Sequence, residues 1–322
     1  MLSKAAPVAF LLLDMLAQHA VCTRCAQMAV TEVIAGGTPQ QQKAVMNALF
    51  ERIGQRNGQI ERFVLHSWAR GPMALTVKET RAKTILSASK VYPYVINPYT
   101  GCQHACSYCY ARFMKRVTGH KEPWGEFVDV KINAAELLRV EINRKKMARV
   151  WVSGVCDPYQ PLEAQYRLTR QCLEILAQNR WPVTIQTRSP LIVRDMDILK
   201  EATDLEAGFS VTTADDTIRE LFEPHAPPIG ARLKALDQLH QAGIRTFAMI
   251  APMLPGADGL GELLKGKVDY VLIDRMNYHY ADWVYRKHRL EDKLASDFFH
   301  RTGSELEDAC SRSGIACNLT YD

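Results

Sequence analysis

Three cysteines within one short stretch are the residues of this chain best suited to chemistry. Cys102, Cys106 and Cys109 are separated by three and then two residues. Cysteine thiolates are the usual ligands of iron–sulfur clusters, which are normally held by four of them. A compact set of three with no nearby fourth would leave one iron open to a substrate or cofactor. The spacing therefore predicts a cluster that takes part in catalysis, not a simple electron carrier.

Zinc is the alternative metal that such a motif could bind. Structural zinc sites use four ligands, commonly in two Cys/His pairs. His104 lies too close in sequence to Cys102 and Cys106 to complete a tetrahedron comfortably, and no second Cys-x2-Cys motif follows downstream. These features favour the iron–sulfur interpretation.

The Cys-x3-Cys-x2-Cys motif, with an aromatic residue directly before its third cysteine, resembles the signature of radical S-adenosylmethionine (SAM) enzymes. Further segments resemble the spore photoproduct lyase-like subfamily, over a region from about Val77 to about Tyr280. These segments are Tyr94–Cys102, Cys109–Arg112, Asp157–Glu163, Thr187–Asp195, Glu223-Pro224 and Ala251–Gly256. The resemblance implies a 4Fe–4S cluster and SAM as cofactors, with the cofactors carrying the difficult radical chemistry.

The same resemblance implies roles for residues of the cysteine motif. Cys102, Cys106 and Cys109 would ligate three irons of the cluster. Tyr108 would contact the adenine of SAM, and Tyr110 matches a tyrosine that the lyases are thought to use in passing a hydrogen atom. Core packing is the alternative for both rings.

Other polar residues follow predicted strands and are expected near SAM. Asp157 stands after a strand and before a proline, so we expect its carboxylate at the rim of the fold. Arg188 aligns with a lysine that holds the SAM carboxylate, a task that suits a guanidinium group. Ser189 and Thr213 are candidate hydroxyl donors, whereas Arg194 and Asp195 are expected to form a structural pair at a helix start.

Cys156 marks a departure from the lyases. Their catalytic cysteine, a hydrogen donor, stands three residues before the aspartate, where this chain has Gly154; Cys156 instead directly precedes Asp157. A thiol there could donate a hydrogen atom, and it could equally contact SAM or fill the core. Repair of thymine dimers in spores is therefore not the expected reaction.

The elements that must position these residues alternate between strands and helices. Strands are predicted over Tyr94–Tyr99, Val150–Val155, Val183–Thr187, Glu206–Thr212, Thr246–Ala251 and Val268–Ile273. The intervening helices are predicted over Tyr108–Thr118, Ala134–Lys146, Leu168–Gln178, Arg194–Ala202, Thr217–Phe222, Gly230–Ala242 and Leu260–Leu264. This order predicts an α/β fold with a parallel sheet, and the resemblance implies a partial (β/α)6 TIM-like barrel. In such barrels the chemistry gathers at the carboxyl ends of the strands, where all the motifs above lie.

The chain is long enough for one barrel with extensions. It has 322 residues, 47% hydrophobic and 23% charged, with a net charge of +5. We expect a mostly helical N-terminal extension over residues 1–70, a barrel core over 71–280 and a C-terminal helical segment over 281–322, where Trp283, Lys287, Leu290, Leu294 and Phe298 have near-helical spacing.

The apolar run Ala5–Leu13 is too short to span a bilayer and predicts an amphipathic helix. Cys22 and Cys25 have no partner pair, so no second cluster is expected. An oxygen-sensitive cluster and nine cysteines predict a reducing, cytoplasmic location and no membrane partner.

The leading functional hypothesis is a radical SAM enzyme of the lyase-like subfamily, acting on a nucleic-acid lesion or modified base. The mild positive charge permits nucleic acid without demanding it. A second hypothesis keeps the radical chemistry but assigns it to a peptide, RNA or small metabolite. A third is a non-catalytic iron–sulfur or zinc module. A catalytic cluster also implies an electron donor of the flavodoxin or ferredoxin type.

Overall fold

The computed structural model of the chain describes residues 75–321. The predicted N-terminal extension, its amphipathic helix, and Cys22 and Cys25 lie outside the described residues, so those predictions stay predictions. Within residues 75–321, no helix is both long enough and apolar enough to cross a membrane.

An eight-stranded sheet forms the centre of the described region. Its spatial order is β11-β10-β9-β8-β7-β6-β3-β2, and every pair is parallel except the antiparallel pair β2–β3. The strands are β2 (Ser87–Ala88), β3 (Tyr94–Ile96), β6 (Val150–Val152), β7 (Val183–Thr187), β8 (Leu205–Ser210), β9 (Arg245–Ile250), β10 (Tyr270–Ile273) and β11 (Ala316–Leu319). The sheet is not closed, because β2 and β11 are its two edges. The predicted α/β fold with a parallel sheet is confirmed, and all six predicted strands are present.

Burial explains why these segments become strands. All six residues of β8 are buried, as expected for a strand covered on both faces. Gly208 in this strand leaves room for Phe247 on β9, whose ring would overlap a Cβ at that position. Residue 208 is also paired with residue 247 in the register of the two strands. The missing side chain therefore lets a large ring fill the space between the central strands.

Ten α-helices lie in the described region. They are α1 (Met114–Thr118), α2 (Ala134–Glu141), α3 (Glu163–Tyr166), α4 (Leu168–Gln178), α5 (Met196–Glu201), α6 (Asp216–Phe222), α7 (Ile229–Gln241), α8 (Leu260–Leu264), α9 (Asp282–Lys287) and α10 (Ser296–Arg312). Helices α1, α2 and α5 are shorter than predicted, and α3 was not predicted. The predicted bounds of α4, α8 and β7 are exact. The helix predicted over Tyr108–Thr118 begins later, as a 3₁₀ helix over Tyr110–Phe113 that continues into α1.

A second sheet was not predicted. It has three strands in the order β1-β5-β4, with ranges Thr76–Thr80, Phe127–Lys131 and Tyr99–Thr100. The segment Thr76–Thr80 is polar and its three central residues are exposed, so it lacks the hydrophobic pattern that marks a strand. The strand at Tyr99–Thr100 leads directly into the cysteine motif, so this small sheet positions the start of that loop.

The helical segment predicted after Tyr280 is present but interrupted, and it ends in a strand. The chain forms α9, a 3₁₀ helix over Glu291–Leu294, α10 and then the strand β11, which pairs in parallel with β10. Trp283 is 51% exposed, so it does not belong to a buried stripe. Helical spacing alone could not reveal the breaks, because 3₁₀ turns carry apolar residues at nearly the same intervals.

Candidate functional site

The three cysteines lie on one loop at the carboxyl end of the sheet. The loop follows the strand Tyr99–Thr100 and ends where the 3₁₀ helix Tyr110–Phe113 begins. Cys102 and Cys106 are buried and Cys109 is partly exposed. Burial raises the pKa of the Cys102 thiol first, and the charges of Asp157, Cys106 and Cys109 raise it further. The three sulfur atoms are therefore close enough to influence one another.

Two glycines allow the backbone to pack tightly around this loop. Gly101 has φ +90°, and a Cβ there would overlap the carbonyl oxygen of Phe127. Gly125 has φ +108°, and a Cβ there would overlap the Cβ of Ala105. Both positions combine a left-handed backbone with close approach, the two conditions that only glycine meets without strain.

Glu223 is the centre of a buried polar network beside the cysteine loop. Its carboxylate accepts hydrogen bonds from the Tyr108 hydroxyl, from Thr212 Oγ1 at 3.0 Å and from Arg188 Nε at 3.2 Å. Arg232, which is fully buried, donates to the other carboxylate oxygen. Burial alone would raise the pKa of Glu223, but Arg232 and Arg188 outweigh it and lower the pKa. We call Tyr108, Arg188, Thr212, Glu223 and Arg232 the Glu223 network.

This network gives Tyr108 and Arg188 hydrogen-bond partners within the protein, and their roles toward SAM stay predictions. Tyr108 is only 6% exposed, so an adenine contact would need ring surface that the packing covers. Arg188 donates hydrogen bonds from Nε to Glu223 and from Nη2 to the Tyr108 hydroxyl, the latter at 2.9 Å. Burial raises the pKa of the Cys106 thiol to about 12, while the charge of Arg188 acts to lower it. Arg188 is therefore placed to act on the cysteine loop, and its contact with the SAM carboxylate stays a prediction.

Asp157 follows β6 and lies beside the cysteine loop, where its carboxylate is buried and held by protein donors; its contact with SAM stays a prediction. Asp157 Oδ1 accepts from Thr187 Oγ1 at 2.6 Å and from the Tyr159 N–H at 2.8 Å, and Oδ2 accepts from the Arg188 N–H at 2.7 Å. His104 Nε2 lies 3.3 Å from Oδ2. Burial opposes ionisation, but His104 and these donors lower the pKa of Asp157 to about 2. The carboxylate thus ties the ends of β6 and β7 to the cysteine loop.

Cys156 and Tyr110 meet at the turn that follows β6. Asn97 Oδ1 accepts from the N–H groups of Gly154 at 2.8 Å and Val155 at 3.1 Å, which fixes this turn. The Tyr110 hydroxyl donates to the Gly154 carbonyl, and the Cys156 thiol donates to the Tyr99 carbonyl at 3.3 Å. Burial raises the pKa of each side chain to about 12. Both groups therefore keep their hydrogen at neutral pH.

Ser189 and Thr213 use their hydroxyls within the protein. Ser189 Oγ accepts from the Leu191 N–H at 3.3 Å as the N-cap of the 3₁₀ helix Pro190–Asp195. Thr213 is fully buried, donates to the Pro255 carbonyl at 2.6 Å and accepts from the Asp215 N–H at 3.1 Å. The Thr213 O–H is therefore already engaged, whereas the Ser189 hydroxyl acts only as an acceptor here; the contacts of both residues with SAM stay predictions. The structural pair of Arg194 and Asp195 is present, with Arg194 Nε 2.7 Å from Asp195 Oδ1.

Sequence reasoning missed two groups that hold the cysteine loop. Glu223 belonged to a recognised motif without a role, because nothing local shows that it faces a guanidinium group thirty-five positions away. Gln160 is fully buried; its Oε1 accepts from the Gln103 N–H at 3.1 Å, and Gln103 Oε1 accepts from the Leu162 N–H at 2.8 Å. The only available signal was that Gln160 lies within the Asp157–Glu163 motif.

The surroundings of the thiols suit a negatively charged, sulfur-rich group. Burial raises the pKa of the Cys109 thiol, while Arg188, Arg112 and the Trp124 indole act to lower it. Trp124 Nε1 and Arg112 Nε are buried, and apart from the contact of the indole with Cys109 neither has a hydrogen-bond partner among the described residues. Within residues 75–321, no three His, Cys, Asp or Glu side chains converge as one metal ion would require. Buried donors next to thiols fit an iron–sulfur cluster, whose sulfurs accept hydrogen bonds.

Comparison with solved structures shows the same fold in spore photoproduct lyase. The lyase complexed with dinucleoside spore photoproduct aligns with a TM-score of 0.57 at 15% identity, over 76% of this chain and 82% of that chain. A variant of the lyase with bound AdoMet and the same dinucleoside aligns with a TM-score of 0.56. At this identity the likeness establishes the fold alone.

Comparison of sequences identifies relatives and a family. An uncharacterized protein of Methanocaldococcus jannaschii is 34% identical over 183 residues, which are 56% of this chain and 69% of that protein. An uncharacterized protein of Mycobacterium tuberculosis is 32% identical over 203 residues, and the chain spans only 59% of its length. The radical SAM Nalpha-GlyT isomerase of Pseudomonas phage M6 is 25% identical over 162 residues, 49% of this chain and 33% of the isomerase.

The sequence model of the Radical SAM superfamily matches residues 96–258, half of the chain and all the rim loops from the cysteine motif to Gly256. This chain therefore belongs to the radical SAM superfamily.

Proposed function

We propose that this protein is a radical SAM enzyme in which Cys102, Cys106 and Cys109 bind a 4Fe–4S cluster and SAM is the second cofactor. Three thiols on one loop, placed at the carboxyl end of a parallel sheet and surrounded by buried donors, carry this proposal. When both cofactors are bound, they supply reductive cleavage of SAM to a 5′-deoxyadenosyl radical. The protein's part is to hold the loop and to supply hydrogen donors near the rim.

The Glu223 network holds the loop from one side. The Ser107 N–H donates to the Phe222 carbonyl at 2.7 Å, and the His225 N–H donates to the His104 carbonyl at 3.3 Å. These bonds attach the loop to the residues on either side of Glu223. Because Glu223 is neutralised by two guanidinium groups, its charge does not oppose a negatively charged cluster.

Cys156 and Tyr110 are the proposed hydrogen donors near the substrate. Each keeps a neutral S–H or O–H at pH 7, because burial raises its pKa to about 12. Tyr110 directly follows Cys109, and its hydroxyl contacts the turn that leads to Cys156. A substrate radical formed at this rim would therefore have both donors close by.

The substrate proposed first is a nucleic-acid lesion or a modified base, as the fold of the lyases suggests. The chemistry would differ from that of the lyases, because their cysteine position is Gly154 here. A Cβ at Gly154 would lie 3.0 Å from a ring carbon of Trp151 and 3.3 Å from Val95, closer than ordinary packing. The absence of the lyase cysteine favours the second candidate somewhat, a radical SAM enzyme acting on a peptide, RNA or small metabolite. A cytoplasmic location and a flavodoxin- or ferredoxin-type electron donor complete the proposal.

Anaerobic reconstitution with iron and sulfide tests the reaction. With dithionite and SAM, we expect 5′-deoxyadenosine, and Cys102→Ala, Cys106→Ala or Cys109→Ala should each abolish it. Cys317→Ser is the matched control, because that half-buried thiol lies on the edge strand β11. Cluster-loaded wild-type protein that forms no 5′-deoxyadenosine would contradict the proposal.

Deuterated substrates then separate the two substrate candidates. Oligonucleotides, peptides and nucleosides labelled at reactive C–H bonds are incubated with the reduced enzyme, and 5′-deoxyadenosine is analysed by mass spectrometry. Label from an oligonucleotide supports the first candidate, and label only from a peptide or nucleoside supports the second.

A further inference from the structure

Three tyrosines form an exposed stack next to the cysteine loop. The ring centroids of Tyr110 and Tyr278 lie 6.3 Å apart with planes 26° from parallel, and those of Tyr278 and Tyr280 lie 5.9 Å apart with planes 18° from parallel. Their exposed fractions are 40%, 50% and 42%. We call this stack the tyrosine ladder.

The fold places the tyrosine ladder at the carboxyl end of the open sheet, beside the cysteine loop. Tyr110 immediately follows Cys109, and Tyr278 and Tyr280 lie on the segment that follows the carboxyl end of β10. The first ring therefore adjoins the proposed cluster ligands, and the next two lead away from them. A molecule that enters the rim toward the cysteine loop would pass over these rings.

Positive charge accompanies the ladder. The guanidinium carbon of Arg112 lies 5.8 Å from the ring centroid of Tyr280. Lys115 and Arg116 lie on α1, directly after the helix that carries Tyr110, and Arg286 and Lys287 end α9. Two acidic residues lie on this segment and at the start of α9: Asp274 accepts from Asn277 Nδ2 at 2.7 Å, and Asp282, only partly exposed, lies 3.2 Å from His279 Nδ1. The surroundings of the rings are therefore mainly cationic.

Flat rings combined with cations select one class of partner. Exposed aromatic groups gathered in one place mark an interaction surface, because their burial is otherwise favourable. A ladder of near-parallel rings flanked by arginine and lysine matches the way proteins bind unpaired nucleotides, in which bases stack on aromatic faces and phosphates meet basic side chains. An acidic peptide would be attracted by the charges but would have no use for three parallel rings.

We propose that the tyrosine ladder binds unpaired nucleotides of a nucleic-acid strand and leads them to the cysteine loop. This inference rests on the proposed function and names its substrate class. Paired bases bury their faces within the duplex, so a double-stranded ligand would engage the ladder only where nucleotides are unpaired or extruded.

Fluorescence anisotropy with the cluster-loaded full-length protein tests this surface. The probe is a labelled ten-nucleotide oligothymidylate, with its RNA counterpart and a blunt duplex as separate arms. Tyr278→Ala and Tyr280→Ala should each weaken binding of the single strand by about five- to 150-fold, the range found for loss of one stacking ring. Tyr280→Phe should bind within about twofold of wild type, because the ring is kept. Tyr92→Ala is the matched control, since that tyrosine precedes β3 at the opposite end of the sheet.

Several results would overturn the proposal. Unchanged affinity in both alanine variants, equal losses in Tyr92→Ala, or tighter binding of the blunt duplex than of the single strand would each do so. Tighter binding of a labelled polyglutamate peptide, abolished by the same alanine substitutions, would assign the ladder to acidic proteins. A dimer that sediments as a monomer after Tyr280→Ala would assign it to a second copy of the chain.

Assays of SAM cleavage separate this inference from the proposed reaction. If wild-type protein binds the single strand through the ladder but forms no 5′-deoxyadenosine, the proposed reaction fails and the ladder stands. If it cleaves SAM but binds no nucleic acid, the ladder proposal fails and the reaction stands.

Discussion

The Glu223 network and the tyrosine ladder flank the same cysteine loop but differ in their exposure to solvent. Glu223 and Arg232 are fully buried and satisfied by protein groups, whereas the ladder rings keep roughly half of their surface in solvent. A network of this kind fixes geometry before any ligand arrives, since each member already has its partners. Exposed rings instead leave ring faces free that a ligand can cover. One side of the loop is therefore built for position and the other for contact.

Removing the central charge of the Glu223 network should give the largest loss of stability. Glu223→Gln leaves Arg232 and Arg188 without their carboxylate, and unpaired buried charges typically cost about 3–5 kcal/mol. Urea unfolding followed by circular dichroism measures the effect. Glu206→Gln is the control: Glu206 is buried, but its partner Arg245 is 63% exposed, so we expect about 1 kcal/mol or less from the lost ion pair. Equal losses in the two variants would show that the network adds nothing beyond an ordinary ion pair.

The contrast between these regions also marks what the sequence could reveal. The hydrophobic periodicity and the segment length predicted the bounds of β7, α4 and α8 exactly, because those segments follow simple burial patterns. The cysteine motif could be read because its chemistry depends on local spacing. Glu223 could not, since its role arises from guanidinium groups brought together by separate strands and helices. The buried position of Asp157 was missed for the same reason, as its partners lie on two other segments, the end of β7 and the cysteine loop.

The tyrosine ladder could not be predicted from the sequence, for a different reason. Tyr278 and Tyr280 are alternate residues on a segment without regular periodicity, and Tyr110 lies far away along the chain. The helical spacing in this region begins at Trp283, after both tyrosines. Only the course of the chain after β10 shows that the tyrosines stack on Tyr110.

Gly154 lies beside the tyrosine ladder, because its carbonyl accepts a hydrogen bond from the Tyr110 hydroxyl. Gly154→Cys restores the residue that the lyases carry there, but its Cβ would crowd Trp151 and Val95. Overpacking of this kind typically costs about 1–3 kcal/mol, measurable by urea unfolding. Gly230→Ala is the control, because no atom lies within 4 Å of a Cβ there. A Gly154→Cys variant as stable as wild type would show that the turn accepts the lyase cysteine.

Acid should weaken the link between β6, β7 and the cysteine loop through Asp157. The pKa of Asp157 is lowered from 3.8 to about 2 in the folded protein, because His104 and the hydrogen-bond donors outweigh burial. A lowered folded pKa adds stability that is present above pH 4 and is lost as the pH falls toward 2, here about 2 kcal/mol in all. Asp157→Asn removes this contribution. The stability difference between wild type and Asp157→Asn should therefore shrink when urea unfolding is repeated at decreasing pH from 5 to 3. A constant difference would mean that other carboxylates dominate the acid response.

Substitutions in the ladder should have the smallest effect on stability. Tyr278→Ala loses its stacks on Tyr110 and Tyr280, and Tyr280→Ala loses one stack and the contact with Arg112. Because these rings are half exposed to solvent, each variant should lose about 1 kcal/mol or less of unfolding free energy. The same variants should lose far more in binding of single-stranded nucleic acid, the reverse of the pattern expected for Glu223→Gln. A loss of about 3 kcal/mol in either tyrosine variant would place the rings in the structural core of this rim, and the functional contrast between the two sides of the cysteine loop would disappear.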